Sequence, residues 1–191
     1  MSNVAKREPL TYEEYLAFER SAATKHEFAN GEIFAMAGGK RAHNLVAMTL
    51  GRILGNALAG RRCQVLSSDM RVRTGDGVAC YPDVSVACPP LRFTDETEDE
   101  LRNPTVVVEV LSDSTEAYDR GDKLVHYQTI EGLREIVLVS TKRARVDHYS
   151  LRDDGSWVLR SYVPGQSMPL PSLAIEVPID AIYENVFEST G

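Results

Sequence analysis

Two carboxylates stand where the sequence pattern calls for a dry interior. Asp83 follows Tyr81-Pro82 at the start of the strand-like run DVSVAC, and Glu109 lies inside TVVVEVLS, an almost unbroken β-branched stretch after Pro104. A carboxylate amid such residues is costly unless it is paired or metal-bound. A third polar feature is Lys123, on a predicted helix with Asp119, Arg120 and Asp122 nearby. If the two acid-bearing strands pair, both carboxylates meet at one end of a sheet. Two hard oxygen ligands with open positions for water and phosphate suit Mg²⁺ or Mn²⁺. A metal there polarises a scissile phosphate and lowers the pKa of a bound water. A lysine beside it stabilises developing negative charge or orients the attacking water. Singly, each residue has a plainer reading: Asp83 as a strand-end residue, Glu109 as an outward residue of an edge strand, Lys123 as a surface helix residue.

The elements that must position these groups can be read from the pattern. Residues 11–19 predict a short helix with Thr11 as N-cap and Glu14 in the capping-box position. Residues 25–36 predict a hairpin across Asn30-Gly31. Residues 43–58 carry apolar side chains at helical spacing on a broad face that would pack on a sheet. One strand is expected over 63–72, then a turn at Gly75-Asp76-Gly77, and a strand within 79–88. Residues 89–103, with the acidic run 95–100, read as a solvated loop. The run after Pro104 suits a central strand buried on both faces. A crossover helix follows over 116–130, capped by Ser114 or Thr115, then a buried strand over 135–140. A hairpin of 146–151 with 157–163 and a terminal helix over 179–185 complete the order. This is an α/β or α+β chain with a central mixed sheet flanked by helices.

The length of 191 residues fits one domain, 1–191, with its core over about residues 10–183. Cys63, Cys80 and Cys88 form no CxxC pair and are expected as reduced, packed thiols. The N-terminus has no apolar core of signal-peptide length, and no stretch reaches membrane-spanning length, so a cytoplasmic location is expected. The net charge of −7 argues against a protein that coats nucleic acid, though a local basic groove is compatible with it. Groove candidates are Lys40, Arg41, Arg71, Arg73, Arg120 and Arg134, and no separate DNA-reading module is visible.

Tyr81-Pro82-Asp83 followed by Val108-Glu109-Val110-Leu111-Ser112 resembles the core of the PD-(D/E)XK nucleases. With KHEFANGEIFAMAG, SSDMRV, YPDVSV, NPTVVVEVLSDSTEAYDRGDKLVHY and LREIVLV, the chain is similar to the Uma-two family of bacterial restriction-endonuclease-like proteins over nearly its whole length. The resemblance implies a restriction-endonuclease-like core and assigns Asp83 and Glu109 as metal ligands. The superfamily's lysine would stand two residues beyond the glutamate, where this chain has Leu111, and Lys123 is the candidate replacement on the following helix. Glu27 is placed near the metal by the same resemblance; otherwise it is a cross-strand partner for Lys25 or Arg41. His43 would touch a phosphate or cap its helix with Asn44, and Asp69 would support the site or end a strand.

The function expected is metal-dependent hydrolysis of DNA phosphodiester bonds, with Asp83, Glu109, Lys123 and Glu27 as catalytic residues. Two rivals are a catalytically inactive nuclease fold kept as a binding or assembly protein, and a phosphohydrolase of small nucleotides. A homodimer is expected, because two-fold symmetry suits a duplex substrate and the long amphipathic helix offers apolar surface.

Overall fold

The strand carrying Glu109 is the centre around which the rest is arranged. The computed structural model describes residues 8–36 and 38–187. The signal-peptide reading of the N-terminus rests partly on residues 1–7, and the motif KHEFANGEIFAMAG includes Ala37; both fall outside the described residues. In chain order the elements are α1 (Tyr12–Ser21), β1 (His26–Ala29), β2 (Glu32–Ala35), α2 (Arg41–Ala57), β3 (Gln64–Ser67), β4 (Arg71–Arg73), β5 (Ala79–Cys80), β6 (Val84–Ala87) and β7 (Glu100–Leu101). They continue with β8 (Val106–Leu111), α3 (Glu116–Arg120), α4 (Asp122–Gln128), β9 (Glu135–Ser140), β10 (Val146–Leu151), β11 (Trp157–Tyr162), β12 (Ser167–Leu170), β13 (Ile175–Pro178) and α5 (Ile179–Tyr183).

A six-stranded mixed sheet runs β11-β10-β9-β8-β6-β3, and a second sheet runs β2-β1-β5-β4-β7. In the first, β8 pairs parallel with β9 and antiparallel with β6. All six residues of β8 are buried, as its β-branched run requires of a strand covered on both faces. Val106, Val108 and Val110 meet Val46, Leu50 and Leu54 of α2 on one face. Val107 and Leu111 face the other way, onto Leu124 and Tyr127 of α4 and onto Val72 and Cys80 of the second sheet. By alternation Glu109 points to that second side. Burying each Val or Leu contributes about 1.5–3 kcal/mol, so one carboxylate is tolerated in this strand without loss of the fold.

Local signals fix the outer pieces. Thr11 accepts from the Glu14 amide and Glu14 accepts from the Thr11 amide, a complete capping box. Asn30 and Gly31 take positive φ at the β1–β2 turn, and a Cβ on Gly31 would stand 2.3 Å from the Pro9 Cβ.

Five expectations need correction. The single strand over 63–72 is two strands in different sheets, because the Met70 amide bonds back to the Ser67 carbonyl and turns the chain. The crossover helix over 116–130 is broken into α3 and α4 at Gly121, whose ψ of −110° leaves the helical region. The acidic loop is not simply solvated: Asp95 and Asp99 clamp Arg20, and Glu100 is fully buried against Arg71. The expectation of three reduced thiols fails for two of them. Cys63 and Cys88 stand one step beyond the Gln64–Ala87 rung of β3 and β6, so they face each other and form a disulfide; Cys80 is a buried free thiol. The β12–β13 hairpin was not expected; it closes over α2 through Met168, Leu170 and Val177. Among the described residues no helix is long and apolar enough to cross a membrane.

Candidate active site

Asp83 and Glu109 are direct neighbours across the β6–β8 ladder. The register sets Val84 opposite Val108, so the next step outward sets Asp83 opposite Glu109. The Val110 amide donates to Asp83 Oδ2 at 2.7 Å, and His43 Nε2 lies 3.2 Å from the same oxygen. Glu109 Oε1 takes the Tyr127 hydroxyl and the Lys123 ammonium, the latter at 2.8 Å. Among the described residues, Asp83 Oδ1 and Glu109 Oε2 have no hydrogen-bond partner, and both residues line a cavity of about 870 Å³. Each acid is therefore held through one oxygen and free through the other.

Lys123 reaches this point from α4 and is itself buried. Its ammonium lies 2.8 Å from Glu27 Oε1, 2.8 Å from Glu109 Oε1 and 3.7 Å from Asp119 Oδ1. Glu27, on β1, also accepts the Tyr81 amide at 3.3 Å. Tyr81 is fixed in turn by its hydroxyl, which donates to Glu19 and accepts from Arg71. Asp119, Lys123 and Tyr127 recur at four-residue spacing, which puts them on one stripe despite the break at Gly121.

Electrostatically the site is overloaded with negative charge. Glu109, Glu27 and Asp119 surround one ammonium, and Asp83 stands beside Glu109. Burial pushes the Glu109 carboxyl well up, Lys123 opposes this, and Asp83, Asp119 and Glu27 add to the rise. Asp119 is raised by burial in the same way, with Lys123 opposing. Burial alone would favour the neutral amine of Lys123, but Glu109 and Glu27 outweigh it and hold the ammonium well above its usual range. The same excess of carboxylates raises acids and base together. The hydrogen bond to Asp83 raises His43 against the opposing effect of burial.

A cation would relieve this field, and the residues able to hold one are Asp83 and Glu109. Among the described residues no set of three or more His, Cys, Asp and Glu side chains is arranged as a closed metal cage. Two carboxylates with free oxygens, leaving the other positions to water and substrate, fit the habit of Mg²⁺.

The Uma2 family model, described as "Putative restriction endonuclease", matches residues 12–180. The chain belongs to the Uma2 family. Two Synechocystis proteins are similar to it: the uncharacterized protein slr1290 is 37% identical over 179 residues, 93% of each chain. The uncharacterized protein sll1609 is 36% identical over 160 residues, 83% of this chain and 90% of its own. A crystal structure described as "a putative nuclease belonging to DUF820", from Anabaena variabilis, superposes with a TM-score of 0.77 at 18% identity, covering 94% of this chain and 100% of that one. That likeness shows the fold.

Of the residues singled out in this Uma2 chain, Asp83, Glu109, Lys123, Glu27 and His43 line one cavity. Asp69 does not join them; its side chain is 85% exposed and pairs with Lys25 at 3.0 Å. Glu27 pairs across to Lys123 rather than to Lys25 or Arg41. His43 neither caps α2 nor lies free, and its buried Nδ1 has no partner. A Cβ on Gly39 would come within 2.6 Å of that nitrogen, so the loop before α2 rests on the imidazole. Three of the six groove candidates are engaged within the protein: Arg71 is buried on Glu100, Arg120 is tied to Asp147, and Arg41 bonds the carbonyls of Asn185 and Val186. Lys40 and Lys142 are the cations at the cavity rim. Sequence reasoning missed Tyr127 as a partner of Glu109; its four-residue spacing from Lys123 was the available signal.

Proposed function

We propose that this Uma2 protein is a Mg²⁺- or Mn²⁺-dependent DNA endonuclease, with the metal held by Asp83 and Glu109. The observation that carries the reading is the opposition of these two carboxylates, each with one free oxygen, beside a buried lysine on the wall of a large cleft. When bound, the metal would polarise the scissile phosphate and acidify a water. The chain's own residues then have distinct tasks. Val110 and His43 hold Asp83, and Tyr127 holds Glu109, each aiming a free oxygen into the cleft. Lys123 supplies a fixed positive charge against the negative charge that develops on the phosphate, and Glu27 keeps it in position. Its burial removes competing water, which strengthens that effect.

The test is incubation of purified protein with supercoiled plasmid and Mg²⁺ or Mn²⁺, beside Asp83→Ala. Nicked or linear product from wild type alone supports the reading. Intact plasmid with both metals overturns it and leaves the inactive-fold or small-nucleotide alternatives. A homodimer belongs to the same proposal, since two sites related by two-fold symmetry would address both strands of a duplex.

A further inference from the structure

A second cavity, of about 320 Å³, lies just past the C-terminal end of α4, against Thr129, Ile130 and Glu131, and has the opposite charge to the acidic cleft. Arg73, Arg92 and Arg102 line it, with Glu131 the one carboxylate in its wall. β4 and β7 pair in parallel with Arg71 opposite Glu100 and Val72 opposite Leu101, so Arg73 and Arg102 are next in step. The first of these rungs is a buried ion pair, Arg71 to Glu100 at 2.8 Å. The next step along the two strands carries two arginines instead of an ion pair, and like charges opposite each other on a ladder are unfavourable.

Among the described residues no carboxylate neutralises either arginine. Among the described residues the Arg102 side chain has no hydrogen-bond or ion-pair partner, while its backbone amide bonds the Arg92 carbonyl and brings the third arginine close. Arg73 Cζ lies 3.6 Å from the centre of the Tyr12 ring, and among the described residues its side chain makes no hydrogen bond or ion pair. Arg92 alone has a carboxylate, Glu131 at 3.2 Å, and Glu131 is 85% exposed. The nearby acids are already engaged: Glu100 accepts from Arg71, Tyr12 and Thr94, and Asp95 and Asp99 hold Arg20. In a chain of net charge −7, a pocket of three arginines and one carboxylate is a local inversion of the protein's field.

The cavity's position ties it to the cleft. His126, on α4, lines the acidic cleft, and Thr129, one helical turn further, lines the arginine cavity. The turn between β4 and β5 is clamped to both: the Gly75 amide donates to Thr129 Oγ1 at 3.0 Å, and Asp76 pairs with His126 at 2.6 Å. We infer that the arginine cavity binds a phosphate oxyanion, namely a backbone phosphate of the nucleic acid away from the bond to be cut. This rests on the nuclease reading for the identity of the polymer, not for the anion site. Guanidinium groups match phosphate oxygens in fixed fork geometry, and such contacts position a polymer without reading its bases.

The experiment measures binding without cleavage. Affinity for a labelled DNA duplex is followed by anisotropy in EDTA over a salt series, and inorganic phosphate is titrated calorimetrically, for wild type, Arg102→Gln and Arg73→Gln/Arg102→Gln. Arg102→Gln, which breaks no hydrogen bond or ion pair among the described residues, is expected to weaken duplex binding roughly tenfold, and the double variant further. The salt slope is expected to fall by about one for each arginine removed. Unchanged duplex affinity and slope in both variants would overturn the inference. Loss of inorganic phosphate binding with unchanged duplex binding would overturn the backbone assignment in favour of a free phosphate. Plasmid cleavage separates this inference from the previous one. If wild type never cleaves but the arginine variants lose duplex affinity, the nuclease reading fails and the anion site stands. If wild type cleaves and the variants bind and cleave as it does, the anion site fails and the nuclease stands.

Discussion

Replacing Lys123 by methionine keeps most of the stem's volume and removes the ammonium that Glu109, Glu27 and Asp119 share. Glu109 and Glu27 each lose a contact of 2.8 Å, and Asp119 loses one of 3.7 Å. Breaking a buried pair by removing one partner costs about 3–5 kcal/mol. In a domain of this size that lowers Tm by roughly 6–20 °C. The loss depends on pH with a definite sign. Glu109 has a folded pKa raised above its ordinary value, so the folded state binds its proton more tightly than the unfolded chain does. Such a group favours folding below the ordinary carboxylate range and works against it as pH rises through the folded value. Lys123, raised in its turn, contributes stability throughout neutral pH and loses it only in strong alkali. Without Lys123, Glu109 rises further and the penalty is largest at pH 8. Toward pH 5 Glu109 and Asp119, both raised by burial, take up protons and the loss is smaller. Urea unfolding of wild type and Lys123→Met at both pH values, in EDTA, measures this. A loss equal at pH 5 and pH 8, or none at either, would refute the electrostatic account of the cluster.

Other predictions follow from particular contacts. Tyr127→Phe removes the hydroxyl on Glu109 Oε1 and should cost about 1–2 kcal/mol in urea unfolding, with reduced cleavage. Gly39→Ala drives a methyl group to within 2.6 Å of His43 Nδ1 and should lower cleavage by displacing the partner of Asp83, while Asp69→Ala, at a residue that does not line the cleft, should leave cleavage as in wild type. Thr11→Ala breaks the capping box and should cost about 1 kcal/mol, read from the shift in the urea midpoint. Light scattering should report twice the chain mass of 21.2 kDa, and a monomer alone would remove the homodimer from the proposal.

Much of the architecture was legible because local chemistry and long-range packing agree. Asn30-Gly31, the Thr11–Glu14 box and the β-branched run of β8 each name one structure, and the chain adopts it. The cleft was partly legible for a related reason: a carboxylate in a dry strand must have a partner, and Glu109 has two. What stayed hidden depends on pairings between segments distant in sequence. Alternation over 63–72 cannot say that the chain changes sheet at Met70. The Cys63–Cys88 bond follows only from the β3–β6 register. Glu100 looked like one acid in a solvated run because its partner, Arg71, lies on another strand. Arg73 was one groove candidate among six and Arg102 was not singled out, because their adjacency follows only from the parallel pairing of β4 and β7.

The central claim is that Asp83 and Glu109 together hold one divalent cation. Calorimetric titration of Mn²⁺ into wild type, Asp83→Ala and Glu109→Ala tests it most directly. The account predicts one site per chain in wild type and loss of that site in each variant, with the folded state retained. Binding in both variants equal to that of wild type would contradict it.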